Sequence, residues 1–129
     1  MNNKKETKDF KILIVDDEKD FLDVMSAFLK AKGYSVQTAE NGYKAIDLIK
    51  ENRPDLVLLD IVMPDFDGID TLKEIRRIAP ELPVVMITAH ASTKGIIEAI
   101  ENGASGFIKK SSDFSYAAKL IESLAKKMQ

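Results

Sequence analysis

The residues best suited to chemistry in this chain are the adjacent acids Asp16 and Asp17, Asp60, Thr88, and the adjacent lysines Lys109 and Lys110. Three carboxylates gathered in one crevice repel, and at least one pKa must rise unless a cation stands between them. A hard divalent ion with oxygen ligands resolves that conflict. Mg²⁺ suits a site with few carboxylates that leaves places for water and a phosphoryl oxygen. Zinc and copper lack ligands, because the chain has no cysteine and a single histidine, His90. With a hydroxyl and an ammonium added, the group reads as a phosphoryl site. The metal and the lysine neutralise equatorial oxygens, the hydroxyl hydrogen-bonds another, and one carboxylate is free to attack. Asp60 is the natural nucleophile, because it ends the central strand and is flanked by Asp17 and the lysine.

Such chemistry requires these residues to meet at one edge, and the sequence supplies the elements to bring them there. Residues 11–16, 55–60 and 82–88 are short aliphatic runs, apolar in the middle and polar at the C-terminal end, which read as strands buried on both faces. Running parallel, they deliver Asp16-Asp17, Asp60 and Thr88 to the same edge. Two weaker strands are predicted at residues 34–39, which alternate, and at Gly106–Lys109, which leads into the lysines. Helical spacing links Phe21, Leu22, Met25, Phe28 and Leu29, then Ala45, Ile46 and Ile49, then Ile69, Leu72 and Ile75. Ile96, Ile97 and Ile100 repeat the spacing. A C-terminal helix is expected to carry a continuous apolar face from Phe114 through Ala117, Ala118, Ile121, Leu124 and Ala125 to Met128.

Gly33 and Gly103 stand just past helical stretches, where a left-handed C-cap favours glycine. Asn41 and Asp113 are N-cap types, and Pro54, Pro64 and Pro83 fall in connections or at a strand start. The pattern is five β-then-α units, which points to a parallel sheet covered by helices on both faces. Right-handed crossovers and too few units for an eight-fold barrel leave an open doubly wound sheet. Its ligand crevice lies beyond the C-terminal strand ends.

The length of 129 residues fits one domain. A hydrophobic fraction of 45% against 31% charged excludes a disordered or membrane-spanning chain. Residues 1–9 are polar and lysine-bearing and read as a flexible tail, not a signal or anchor, ahead of a domain over residues 10–129 in a cytoplasmic protein without a membrane partner. Nineteen basic and 21 acidic side chains give a net charge of -2, which speaks against direct nucleic-acid binding.

Taken together, Asp16-Asp17, the run from Leu58 to Gly68 (LLDIVMPDFDG), Thr88-Ala89 and the run from Gly103 to Lys110 (GASGFIKK) resemble the receiver domain of bacterial two-component response regulators. The resemblance covers about residues 10 to 128, with its motifs in order and at family spacing. It implies an α/β fold, a doubly wound (βα)5 flavodoxin-like three-layer sandwich whose five-stranded parallel sheet runs in the order 2-1-3-4-5. It also implies a phosphoacceptor signalling switch rather than an enzyme acting on outside substrates. Asp60 would accept a phosphoryl group from a sensor histidine kinase or a phosphotransfer protein. Asp16, Asp17, Asp60 and the Val62 backbone carbonyl would hold Mg²⁺, with Mn²⁺ able to substitute. Lys110 rather than Lys109 matches the family lysine, and Thr88 with Phe107 matches the switch pair. The fourth helix, fifth strand and fifth helix, with residues 94–102 and 112–127, would form the face that meets an output domain, a downstream protein or a second copy. Nothing in the sequence separates a single-domain regulator from a receiver cut from a longer protein.

Two departures from the family pattern matter. Ser111 stands where proline usually follows the lysine, so the loop after the fifth strand is expected to differ. Val62 and His90, two residues past Asp60 and Thr88, border the attacking water's path in the family and should tune phosphoryl lifetime.

Plainer readings compete for each residue. An isolated Asp-Asp pair is usually a solvated turn, and only its place after a buried strand reverses that. Residues 65–68 with Glu74 partly imitate a calcium loop, but Met63 occupies its first ligand position and Asp70 its apolar one. His90 reads as an exposed loop residue, Lys109 as a solvated lysine, Tyr43 and Tyr116 as partly exposed helix residues, and Phe107 equally as core. Among rival functions, an aspartyl-phosphate hydrolase would carry a second acid where Val62 stands. A flavodoxin-like cofactor carrier would need a hydroxyl- and glycine-rich phosphate loop where Asp16-Asp17-Glu18 would repel phosphate. The intact acidic site argues against a pure docking module.

Overall fold

The computed structural model describes residues 9–63, 67–89 and 92–128. Along the chain run β1 (Lys11–Val15), α1 (Lys19–Ala31), β2 (Ser35–Ala39), α2 (Gly42–Glu51), β3 (Leu56–Asp60), α3 (Gly68–Ile78), β4 (Val84–Thr88), α4 (Thr93–Glu101), β5 (Gly106–Lys109) and α5 (Phe114–Lys127). The strands form a single parallel sheet in the order β2-β1-β3-β4-β5, as expected. The ladders are one or two residues shorter than the apolar runs, so that Asp16, Tyr34, Asp55 and Leu82-Pro83 flank them.

Side-chain alternation along each strand divides the apolar residues between two cores. Ile12 and Ile14 of β1 and Leu56 and Leu58 of β3 pack with Leu22, Met25 and Leu29 of α1 and Ala117, Ile121 and Ala125 of α5. Leu13, Val15, Val57 and Leu59 point the other way, toward Ala45, Ile46 and Ile49 of α2, Leu72 and Ile75 of α3 and Ala99 of α4. Three layers result. β3 and β4 are buried throughout, because both lie inside the sheet with helices on either face.

The predicted punctuation is present. Asn41 accepts a hydrogen bond from the Lys44 amide and Asp113 one from the Ser115 amide, while Gly33 and Gly103 adopt φ of 101° and 89°. Two further caps escaped the sequence reading: Asp67 accepts from the Asp70 amide and Ser92 from the Gly95 amide. Tyr43 and Tyr116 are exposed, as is Lys109. The stripe expected on the fourth helix is not buried, however. Ile97 and Ile100 are 49% and 58% exposed, and Ala99 is the buried residue of α4. Met128 is also exposed, because it is the C-cap beyond the last turn of α5 rather than part of its packed face. Among the described residues no peptide bond is cis, that between Lys110 and Ser111 included, and no helix is long and apolar enough to cross a membrane. Pro64, His90 and the tail over residues 1–8 lie outside the described residues.

Candidate functional site

Because the strands are parallel, their C-terminal ends share one edge, and the register fixes what meets there. Val15 lies opposite Leu59, Asp60 opposite Ile87, and Thr88 opposite Lys109. Backbone bonds continue past the ladders: the Ile61 amide donates to Ile87 O at 3.0 Å and the Lys110 amide to Thr88 O at 2.9 Å. Asp16 and Asp60 extend the alternation of Ile14 and Leu58, so they emerge on the α1/α5 side. Thr88 extends that of Val84 and Met86 on the opposite side.

Asp16 and Asp60 are 0% and 4% exposed, while Asp17 is open to solvent. One carboxylate oxygen from each of the three lies within 4.8 Å of the others. Asp16 Oδ1 accepts from the Glu18 amide at 2.9 Å, and Asp60 Oδ1 accepts from the Val62 amide at 3.2 Å. The Lys110 ammonium lies 2.7 Å from Asp16 Oδ2 and 3.4 Å from Asp60 Oδ2, and it also pairs with Glu18. Its contact with Asp16 is an ion pair without hydrogen-bond alignment, so that Oδ2 has no aligned donor. The Phe21 ring lies 5.0 Å from the same ammonium, within cation–π range. On the far side of β4 the buried Thr88 hydroxyl has no hydrogen-bond partner, and Phe107 packs half-buried against the α2/α3 core.

The electrostatics follow from this crowding. Burial and the neighbouring Asp16 charge push the Asp60 carboxyl up to about 7, against the opposing pull of Lys110 and the Val62 amide. Burial works against the Lys110 charge, but pairing with Asp16 and Glu18 and the nearby Asp60 outweigh it and raise its pKa. Asp60 is thus hard to ionise without a further cation. A divalent metal fits: the donors are all oxygen, close together, and their mutual repulsion is what such an ion relieves.

Gly68 lies tight against the end of β3. A Cβ there would stand 2.1 Å from Asp60 O and 2.6 Å from Ile61 Cα, and the Gly68 amide donates to Ile61 O at 2.9 Å. Only glycine lets the first turn of α3 close onto that backbone.

Asp16, Asp17, Asp60, Thr88 and Lys110 fall at this edge, with Val62 exposed beside Asp60, whereas Phe107 lies within β5 opposite Met86. Sequence reasoning missed Glu18 and Phe21. Their one signal was adjacency to the acidic pair, which does not reveal that the first turn of α1 leans over the end of β5.

Comparison with known proteins agrees with the geometry. A model of the response regulator receiver domain matches residues 12–122. The chain is 42% identical over 103 residues to the transcriptional regulatory protein ZraR of Klebsiella oxytoca, covering 80% of this chain and 23% of that protein. It thus spans about a quarter of the length of the curated relatives it matches. A two-component response regulator from Clostridium difficile superposes with a TM-score of 0.88 at 30% identity, covering 93% of this chain and 98% of that one. The receiver domain of NtrX from Brucella abortus does so with a TM-score of 0.84 at 36% identity, covering 89% and 98%.

Proposed function

The chain belongs to the response regulator receiver domain family, the phosphoacceptor switches of two-component systems, and on that premise we propose that Asp60 is the residue phosphorylated. The donor is a phosphohistidine on a sensor kinase or phosphotransfer protein. A carboxylate oxygen of Asp60 attacks phosphorus, the P–N bond breaks with its electron pair returning to the imidazole, and an acyl phosphate forms. Attack by water later returns inorganic phosphate and the free carboxylate.

The observation that most supports this reading is the meeting of three carboxylates within 4.8 Å beside a lysine ammonium 3.4 Å from Asp60. Asp16, Asp17 and Asp60, with the Val62 carbonyl, are the residues to hold Mg²⁺ or Mn²⁺. When bound, the ion supplies charge neutralisation for the carboxylates and the incoming phosphoryl oxygens. Lys110 gives a second positive charge on the β5 side. The unpartnered Thr88 hydroxyl donates to a phosphoryl oxygen from the β4 side and so satisfies a buried group that otherwise lacks a partner. Drawing Thr88 toward the acceptor opens room behind it for Phe107, whose half-buried ring moves inward and alters the surface of α4, β5 and α5. That surface is the one to meet an output domain, a downstream protein or a second copy, and the exposed Ile97 and Ile100 lie on its α4 portion.

Incubation with Mg²⁺ and acetyl phosphate should add the mass of one phosphoryl group per chain, and Asp60→Asn should abolish the gain. An unchanged mass in the native protein, or a gain that persists in the variant, contradicts the assignment.

A further inference from the structure

We infer that Glu18 is a positioning residue that holds the Lys110 ammonium back from Asp60, opposing the phosphorylated state while keeping the acidic site open to its metal. The inference rests on the phosphoacceptor reading and adds to it a residue that sets its balance. An ammonium has three donors on a flexible stem and settles where the surrounding anions draw it. Here its closest partners are Glu18 and Asp16 Oδ2 at 2.7 Å, and the acceptor Asp60 is the most distant at 3.4 Å. The lysine side chain is 12% exposed, so these pairings are screened far less than surface ones, whereas Glu18 is 63% exposed and reaches in from the N-terminus of α1. The Phe21 ring, three residues on, supports the same ammonium from 5.0 Å.

Two opposite consequences follow from one contact. A phosphoryl group on Asp60 brings oxygens that compete for the ammonium, and Lys110 must loosen its hold on Glu18 to engage them. Loss of Glu18 therefore favours the phosphorylated arrangement. In the resting protein the effect reverses: without Glu18 the ammonium, already 2.7 Å from Asp16, closes on Asp60 as well, so that it engages both carboxylates a metal needs and competes with it.

The test compares the native chain with Glu18→Gln and with Asp20→Asn, which removes an equal charge from an exposed position in the same helical turn. Beryllium trifluoride, a phosphoryl mimic, is titrated at saturating Mg²⁺ by calorimetry, and Mg²⁺ alone is titrated separately. Glu18→Gln should bind the mimic about three- to tenfold more tightly and Mg²⁺ alone about twofold more weakly, as fits a partly screened ion pair. Asp20→Asn should leave both within about twofold of native, since exposed charges that lack a fixed partner are screened. Equal affinities in the native chain and Glu18→Gln, or the same changes in Asp20→Asn, overturn the role of Glu18 while leaving the phosphoacceptor reading intact. If the native chain takes up no mimic at all, that reading fails and the inference with it.

Discussion

Helices α3 and α4 cover the same face of the sheet and are held to it very differently. α3 buries Ile69, Thr71, Leu72 and Ile75, starts on the Asp67 cap, and closes through Gly68 directly onto the backbone of Asp60 and Ile61. Its Arg76 guanidinium donates to Leu82 O at 2.6 Å and to Gly103 O at 2.8 Å, tying the start of β4 to the connection beyond α4. α4 buries Ala99 and leaves Ile97 and Ile100 facing solvent. The apolar area each withdraws from water differs accordingly, and so does the free energy needed to displace it. One helix is braced against the end of β3; its neighbour is held by far less buried apolar surface.

The severest way to break that contrast is Gly68→Ala. The added methyl meets backbone rather than a yielding side chain, so the variant should lose about 4 kcal/mol of stability, at the upper end for a single substitution. Chemical denaturation would show it, and a loss below about 1 kcal/mol would mean that α3 can shift without disturbing Asp60. A matched pair sharpens the point. Leu72→Ala on α3 should cost about 3 kcal/mol through the cavity it leaves, while Ile100→Ala on α4 should stay within about 0.5 kcal/mol. Similar losses in both would erase the distinction.

A gentler effect than the Leu72 cavity concerns the charge that α3 abuts. Since the Asp60 pKa is raised to about 7, the metal-free folded chain binds more protons than the unfolded chain from about pH 4 upward. Its stability should therefore fall as pH rises from about 4 to 7 and then level off. Asp60→Asn should remove that slope and stabilise the protein by about 1–2 kcal/mol at pH 8, a discount on the full shift because Lys110 keeps its other partners. Thermal melts of both proteins without divalent metal, from pH 4 to 8, would detect it, and parallel curves would mean that Asp60 ionises normally.

How far the molecule was legible beforehand depends on which residues are asked about. Asp16, Asp60, Thr88 and Lys110 could be placed at one edge because each ends or follows an apolar run, and parallel strands leave no other arrangement. Ile97 and Ile100 misled, because periodicity identifies a face without saying whether anything lies against it. α4 follows β4 at the side of the sheet where β5 is the last strand, and less core remains there to cover that face. Glu18 was unreadable for a related reason. Its partner is 92 residues away along the chain, and no local pattern records which side chain a long lysine will choose. Asp67 and Ser92, in contrast, are ordinary cap types standing directly before their helices, and the signal was present but unused.

The crevice is built from strand ends contributed by β1, β3, β4 and β5, with Lys110 placed 50 residues from Asp60. No fragment of the sheet contains it, so the crevice exists only once all four of those strands are in place. Whatever binds across those tips consequently fastens remote stretches of polypeptide to one another, and at a hundred times its dissociation constant adds about 2.7 kcal/mol against global unfolding. Occupancy of that edge and the integrity of the whole sheet are thereby linked.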